Sequence, residues 1–194
     1  MEEIRLHGRG GQGAVVASKI LATAAFLDGM EVQSFPTFGV ERRGAPVAAF
    51  VRFSKSKILI RSAVYTPKYV VVLDPTLLIG SLDIIMKGLQ PNGAILINTK
   101  DDITSFNFDK QYKLATVDAA GIAVRNKIGT VTTPIVNTAI TGAFAKATGL
   151  VTIDSVLEAI RKNVPVKAEA NVKAAREAFE ETKCSSCSIE KVYS

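Results

Sequence analysis

The chain has 194 residues, of which 47% are hydrophobic and 22% charged. This balance excludes fibrous, low-complexity and disulfide-stapled chains, and one domain of this length buries roughly 70% of its unfolded surface without a metal or disulfide framework. The 24 basic residues outnumber the 18 acidic ones by six. They are scattered from Arg5 to Lys191, with near-clusters only at Arg42-Arg43 and Lys55/Lys57/Arg61, which predicts a solvated basic surface and no nucleic-acid partner.

The start, Met1-Glu2-Glu3-Ile4-Arg5-Leu6-His7-Gly8, lacks the basic and then apolar regions of a secretory signal. No apolar run approaches the roughly 20 residues that span a bilayer. A cytoplasmic chain with no membrane partner is expected.

Ile4–His7 reads as a short buried strand, followed by a glycine-rich turn and a helix over Ala14–Leu27 with Val16, Ile20, Ala24 and Leu27 on one face. Gly29 ends that helix. Glu31–Phe35 is a second strand, and the unit seeds a parallel α/β sheet. Pro36–Pro46 reads as an exposed loop. Val47–Phe53 is a strand, and Lys57–Arg61 is expected to complete a hairpin with it.

Tyr69–Leu73 is a continuous run with β-branched Val70–Val72 at its centre, as in a central strand buried on both faces. Asp74-Pro75 opens a helical segment, and Ser81–Gly88 a second one. Ala94–Asn98 and Lys113–Val117 are further strands, the latter entering a helix to about Lys127. Thr133-Pro134 is expected to start a helix reaching Lys146. Thr152 caps the next helix and Pro165 opens the last. The predicted class is α/β, with a Rossmann-like, mostly parallel sheet, an inserted hairpin and a helical C-terminal layer. Residues 1–182 form one domain and residues 183–194 a polar tail.

Gly8, Arg9, Gly10, Gly11, Gln12 and Gly13 fit G-x-G-x-x-G between a strand and a helix. Glycines there permit close backbone approach, and the helix start offers N–H groups to an anion. A dinucleotide site also expects an acid at the end of the second strand, and that strand ends Ser34-Phe35-Pro36. The loop therefore reads three ways: a dinucleotide or flavin cradle, a phosphate or other anion site, or a tight turn pressed against a partner chain. The adjacent Arg42 and Arg43, flanked by Phe35, Phe38 and Val40, suit a docking surface, a carboxylate or phosphate clamp, or a solvated loop.

The remaining chemistry is sparse. His7 ends a buried strand and reads as structural. Asp74 sits at the tip of a central strand, where α/β proteins place ligands and where strand ends are also capped. Cys184 and Cys187 are too few for a tetrahedral metal site or a cluster. No catalytic residue and no metal ligand is assigned.

Four segments recur together in one family: Gly8–Gly13 (GRGGQG), Phe38–Pro46 (FGVERRGAP), Val70–Leu78 (VVVLDPTLL) and Ile135–Ala143 (IVNTAITGA). On these motifs the chain resembles gamma subunits of 2-oxoacid:ferredoxin oxidoreductases over about residues 2–180, on the pyruvate and ketoisovalerate branch. The resemblance implies a complex that turns a 2-oxoacid and coenzyme A into acyl-CoA and CO2, passing electrons to ferredoxin. It implies thiamine diphosphate between alpha and beta chains, and iron–sulfur clusters in the beta and delta chains. It implies a gamma chain that carries no cofactor by itself, is inactive when isolated, and contributes assembly and coenzyme A contacts through Gly8–Gly13, Arg42 and Arg43. A separate delta partner is expected, and a homodimer of the isolated chain is compatible with an exposed docking face. The competing reading is a free-standing dinucleotide-binding reductase built on Gly8–Gly13.

Overall fold

The computed structural model describes residues 1–37 and 44–185. Seven strands form one sheet: β1 (Glu2–Arg9), β2 (Glu31–Pro36), β3 (Pro46–Ser54), β4 (Tyr69–Val72), β5 (Ala94–Asn98), β6 (Lys113–Val117) and β7 (Lys183–Cys184). Their order is β2-β3-β1-β4-β5-β6-β7. Strands β1, β2, β4, β5 and β6 run the same way, and β3 and β7 run against them.

The central strands are apolar because both of their faces are covered. Val71, Leu96 and Ala115 point to a large core that includes Ile4, Leu6, Ile20 and Phe144. Val70, Val72, Ile95 and Ile97 point to a smaller core with Leu77, Ile85 and Leu89. Over the large core lie α1 (Ala14–Leu27), α4 (Ala119–Arg125), α5 (Ala139–Thr148), α6 (Ile153–Asn163) and α7 (Ala168–Glu181). Over the small core lie α2 (Leu77–Gly80), α3 (Leu82–Met86) and an irregular stretch holding Ile103, Phe106 and Phe108.

The α1 boundaries match the periodicity, but its buried residues are Ala17, Ile20, Leu21, Ala24 and Ala25, while Val16 and Leu27 are exposed. The helix is held between the sheet and α6, so its covered surface is wider than a single stripe. Its end follows the expectation: Gly29 N–H bonds Phe26 O and Met30 N–H bonds Ala25 O, the double bond of a Schellman motif.

Four expectations are corrected. Strand β2 is not the neighbour of β1, because the antiparallel β3 lies between them and pairs with both. Residues 57–61 form no strand. With β1 and β2 on its two sides, β3 has no free edge left for them, and the antiparallel hairpin is β2–β3 instead. The helix predicted from Thr133-Pro134 starts only at Ala139. Thr130 and Thr133 exchange backbone hydrogen bonds, which closes a tight turn ahead of it. Finally, the tail does not begin at 183. Lys183 and Cys184 pair with Thr116 and Ala115, and Ser185 N–H bonds Leu114 O at 2.8 Å, since β6 would otherwise end the sheet with unpaired backbone groups.

Candidate functional site

The glycine loop closes on itself first. Arg9 N–H donates to Gln12 Oε1 at 2.7 Å, and Gln12 N–H donates to Arg9 O at 3.0 Å. Its side chains then reach the tip of β4. Gln12 Nε2 donates to Asp74 Oδ2 at 2.8 Å, and Arg9 Nε donates to the same oxygen at 3.2 Å. The other oxygen, Oδ1, accepts from Thr76 N–H at 3.0 Å and Thr76 Oγ1 at 2.6 Å. Arg9 Nη2 donates to Thr76 Oγ1 at 3.0 Å. Burial alone would raise the Asp74 pKa. Hydrogen bonds from Thr76 and Gln12 and the charge of Arg9 outweigh it, and the pKa lies below the ordinary 3.8.

Asp74 is therefore a latch that fixes both the glycine loop and the start of α2. Of its two sequence readings, ligand contact and strand-end cap, the geometry is that of the cap. Asn98 does parallel work one strand further on: its Nδ2 donates to Leu73 O at 2.8 Å, and its Oδ1 accepts from Ala120 N–H at 3.3 Å.

Gly13 ends the loop at φ 81° and is the N-cap of α1, which has no side-chain cap. A Cβ there would collide with the Asn137 side chain. Glycine is thus required twice, by dihedral and by space. The first N–H groups of α1 have no intrahelical partner by geometry, and they face the end of the sheet where the loop sits.

Gly44 and Ala45, which follow the two arginines in sequence, reach the same place. Gly10 N–H bonds Ala45 O at 2.8 Å, Gly44 N–H bonds Gly10 O at 3.0 Å, and Arg9 Nη1 donates to Gly44 O at 3.2 Å. The two sequence motifs are therefore joined at Gly10 and Gly44. Arg42 and Arg43 themselves lie outside the described residues, as does Cys187.

His7 is buried, and Arg5 Nε donates to its Nε2 at 2.9 Å. Burial, and then the charge of Arg5, lower its pKa to about 3. The ring is neutral at physiological pH, which is the structural role read from sequence. A dinucleotide grip is not built here. With β3 inserted, the end of β2 lies one strand further from β1, about 5 Å more than in a pair of neighbours, and it carries no acid.

Sequence reasoning missed the Gln12–Asp74 bond, the Asn98 bonds to Leu73 and Ala120, and the Asn137 side chain seated against Gly13. Their partners are distant in sequence, so no local pattern marks them. Among the described residues no cluster of three or more His, Cys, Asp or Glu could hold a metal ion, and no helix is long and apolar enough to cross a membrane.

Residues 3–181 match the family model described as pyruvate ferredoxin/flavodoxin oxidoreductase. The chain belongs to this family. It is 53% identical over 186 residues to the pyruvate/ketoisovalerate oxidoreductases common subunit gamma of Pyrococcus abyssi, covering 94% of this chain and 97% of that one. It is 53% identical over 183 residues to pyruvate synthase subunit PorC of Methanocaldococcus jannaschii, covering 93% and 97%. The crystal structure of pyruvate oxidoreductase subunit PORC from Thermotoga maritima superposes with a TM-score of 0.78 at 38% identity, over 95% of this chain and 98% of that one.

Proposed function

We propose that this chain is the gamma subunit of a cytoplasmic, multisubunit 2-oxoacid:ferredoxin oxidoreductase acting on pyruvate. The complex would turn pyruvate, coenzyme A and two oxidised ferredoxins into acetyl-CoA, CO2, two reduced ferredoxins and a proton. What carries the reading is similarity over nearly the whole chain to gamma and PorC chains, combined with a glycine loop whose Arg9 and Gln12 side chains are committed to Asp74.

The partners in this reading are alpha, beta and delta chains, with ferredoxin reached through the complex. Thiamine diphosphate supplies the carbanion chemistry that cleaves the 2-oxoacid, and it belongs to the alpha and beta chains. Two cysteines cannot supply the four thiolates of a cluster, and the family resemblance assigns the iron–sulfur centres to the beta and delta chains. This chain's share is the backbone of Gly8–Gly13 at the start of α1, together with Arg42 and Arg43. The first N–H groups of α1, which have no intrahelical partner, and the two guanidinium groups suit the phosphates of coenzyme A.

The test is reconstitution. Pyruvate- and coenzyme A-dependent ferredoxin reduction is expected only when this chain joins the other subunits, and the chain alone is expected to be inactive. Arg42→Ala/Arg43→Ala should raise the KM for coenzyme A while leaving the KM for pyruvate near wild type. An unchanged coenzyme A KM removes the arginines from that role.

A further inference from the structure

The two faces of the sheet are covered unequally. Five helices lie over one. Among the described residues, the other carries only α2, α3, the stretch through Phe106 and Phe108, and a strap over residues 55–66. The strap is pinned from beneath as it crosses β2, β3 and the end of α3. Gln33 Nε2 donates to Ile60 O at 3.0 Å, Arg52 Nη2 to Ala63 O at 3.2 Å, and Gln90 Nε2 to Thr66 O at 2.7 Å.

Its outer side is apolar. Leu59 is 78% and Tyr65 71% exposed, and Ile60 is exposed beside them. Helices α2 and α3 continue this character with Ile84 and with Ile79, which is 90% exposed. Single exposed apolar residues are ordinary, but a run of them along one face marks an interaction surface.

The patch has one sign of charge along its strap. Lys55, Lys57 and Arg61 are exposed there and make no ion pair among the described residues. No acid occurs from Ser54 to Lys68. The nearby acids are Glu3, which is already paired with Arg52 beneath the strap, Asp83 on α3, and Glu31, which lies opposite Ser54 in the ladder.

We propose that this face docks a different subunit, one that presents an apolar surface rimmed by Asp and Glu. The proposal rests on reading the chain as part of a complex and assigns that complex a specific face. Charge selects the occupant. A two-fold contact between copies sets the same patch against itself, so it would gather Lys55, Lys57 and Arg61 of both copies into one interface without matching acids on the strap, and that excess of like charge disfavours the pairing. An acid-rimmed partner satisfies them. Helix α2 follows directly on Asp74 and Thr76, so a subunit seated here abuts the glycine loop.

The test uses the complex co-expressed from all its subunits, with this chain tagged. One variant reverses the rim (Lys55→Glu/Lys57→Glu/Arg61→Glu), and a second charges the apolar strip (Leu59→Glu/Tyr65→Glu). Phe26→Glu, an exposed position at the far end of α1, is the control. All these side chains are exposed, so the isolated variants should melt like wild type by circular dichroism. Wild type and Phe26→Glu should assemble. Both patch variants should bind the remaining subunits roughly 30-fold more weakly or worse, and wild-type affinity should fall as salt rises. Wild-type affinity in both patch variants overturns the proposal. So does an isolated wild-type dimer that the patch variants dissolve, or patch-dependent binding to phosphatidylserine vesicles. If the wild-type chain itself fails to join the complex, the subunit reading is what falls.

Discussion

The side-chain amide of Gln12 donates to the Asp74 carboxylate at 2.8 Å, joining residues 62 positions apart in the chain. Through this bond the tip of the fourth strand sets the shape of the loop after the first. Asp74→Ala frees Gln12, Arg9 and Thr76 together. We expect a loss of roughly 1–3 kcal/mol of stability, read by urea unfolding, and a larger fall in the activity of the assembled complex than this alone produces.

The same carboxylate gives a pH signature. Its folded pKa lies below the ordinary 3.8, so its contribution is complete above that value and fades as pH falls through the lowered one. The stability difference between wild type and Asp74→Asn should therefore be constant from neutral pH down to about 5 and shrink below 4. A difference that grows on acidification contradicts the latch.

His7 acts in the same sense over a higher window. Its folded pKa of about 3 lies below the ordinary 6.5, so between these values the unfolded chain binds a proton that the folded chain refuses. Stability should rise with pH across that window, at up to about 1.4 kcal/mol per unit, and level off above it. His7→Gln keeps an acceptor for Arg5 Nε and should lose this segment of the profile, measured as melting temperature against pH.

Arg52 is 1% exposed and sits between the Glu3 carboxylate at 2.8 Å and Gln33 Oε1 at 2.8 Å, with its guanidinium 5.4 Å from the Phe35 ring centroid. Glu3→Gln leaves a buried cation without its counter-charge and should cost about 3–5 kcal/mol. Arg52→Met/Glu3→Met should recover much of that loss, because a matched apolar pair restores the packing without the desolvation cost. Chemical denaturation of the three chains decides it.

Gly142 faces the backbone carbonyl of Ala175 where α5 crosses α7, and a Cβ would overlap that oxygen. Gly142→Ala raises intrinsic helix propensity, yet it should destabilise the fold by at least ~2 kcal/mol, since the two backbones must separate. A melting temperature at or above wild type would show that the helices can part without cost.

The sequence by itself determined the local elements and the class of the chain. Apolar, alternating and β-branched runs marked β1 to β6, the Gly8–Gly13 and Ala14–Leu27 spacing marked the first turn and helix, and the four motifs pointed to the family. These signals are local, because backbone sterics and the burial of one or two faces act on neighbouring residues. Only the tertiary structure decided that β3 enters between β1 and β2, that Lys183–Cys184 finishes the sheet edge, and that Asp74 and Asn137 shape a loop far away in the chain. Which strands pair, and which distant side chain fills a polar vacancy at a strand tip, depends on which edges and hydrogen-bonding groups remain unsatisfied once the whole sheet has assembled, and no window of neighbouring residues carries that information.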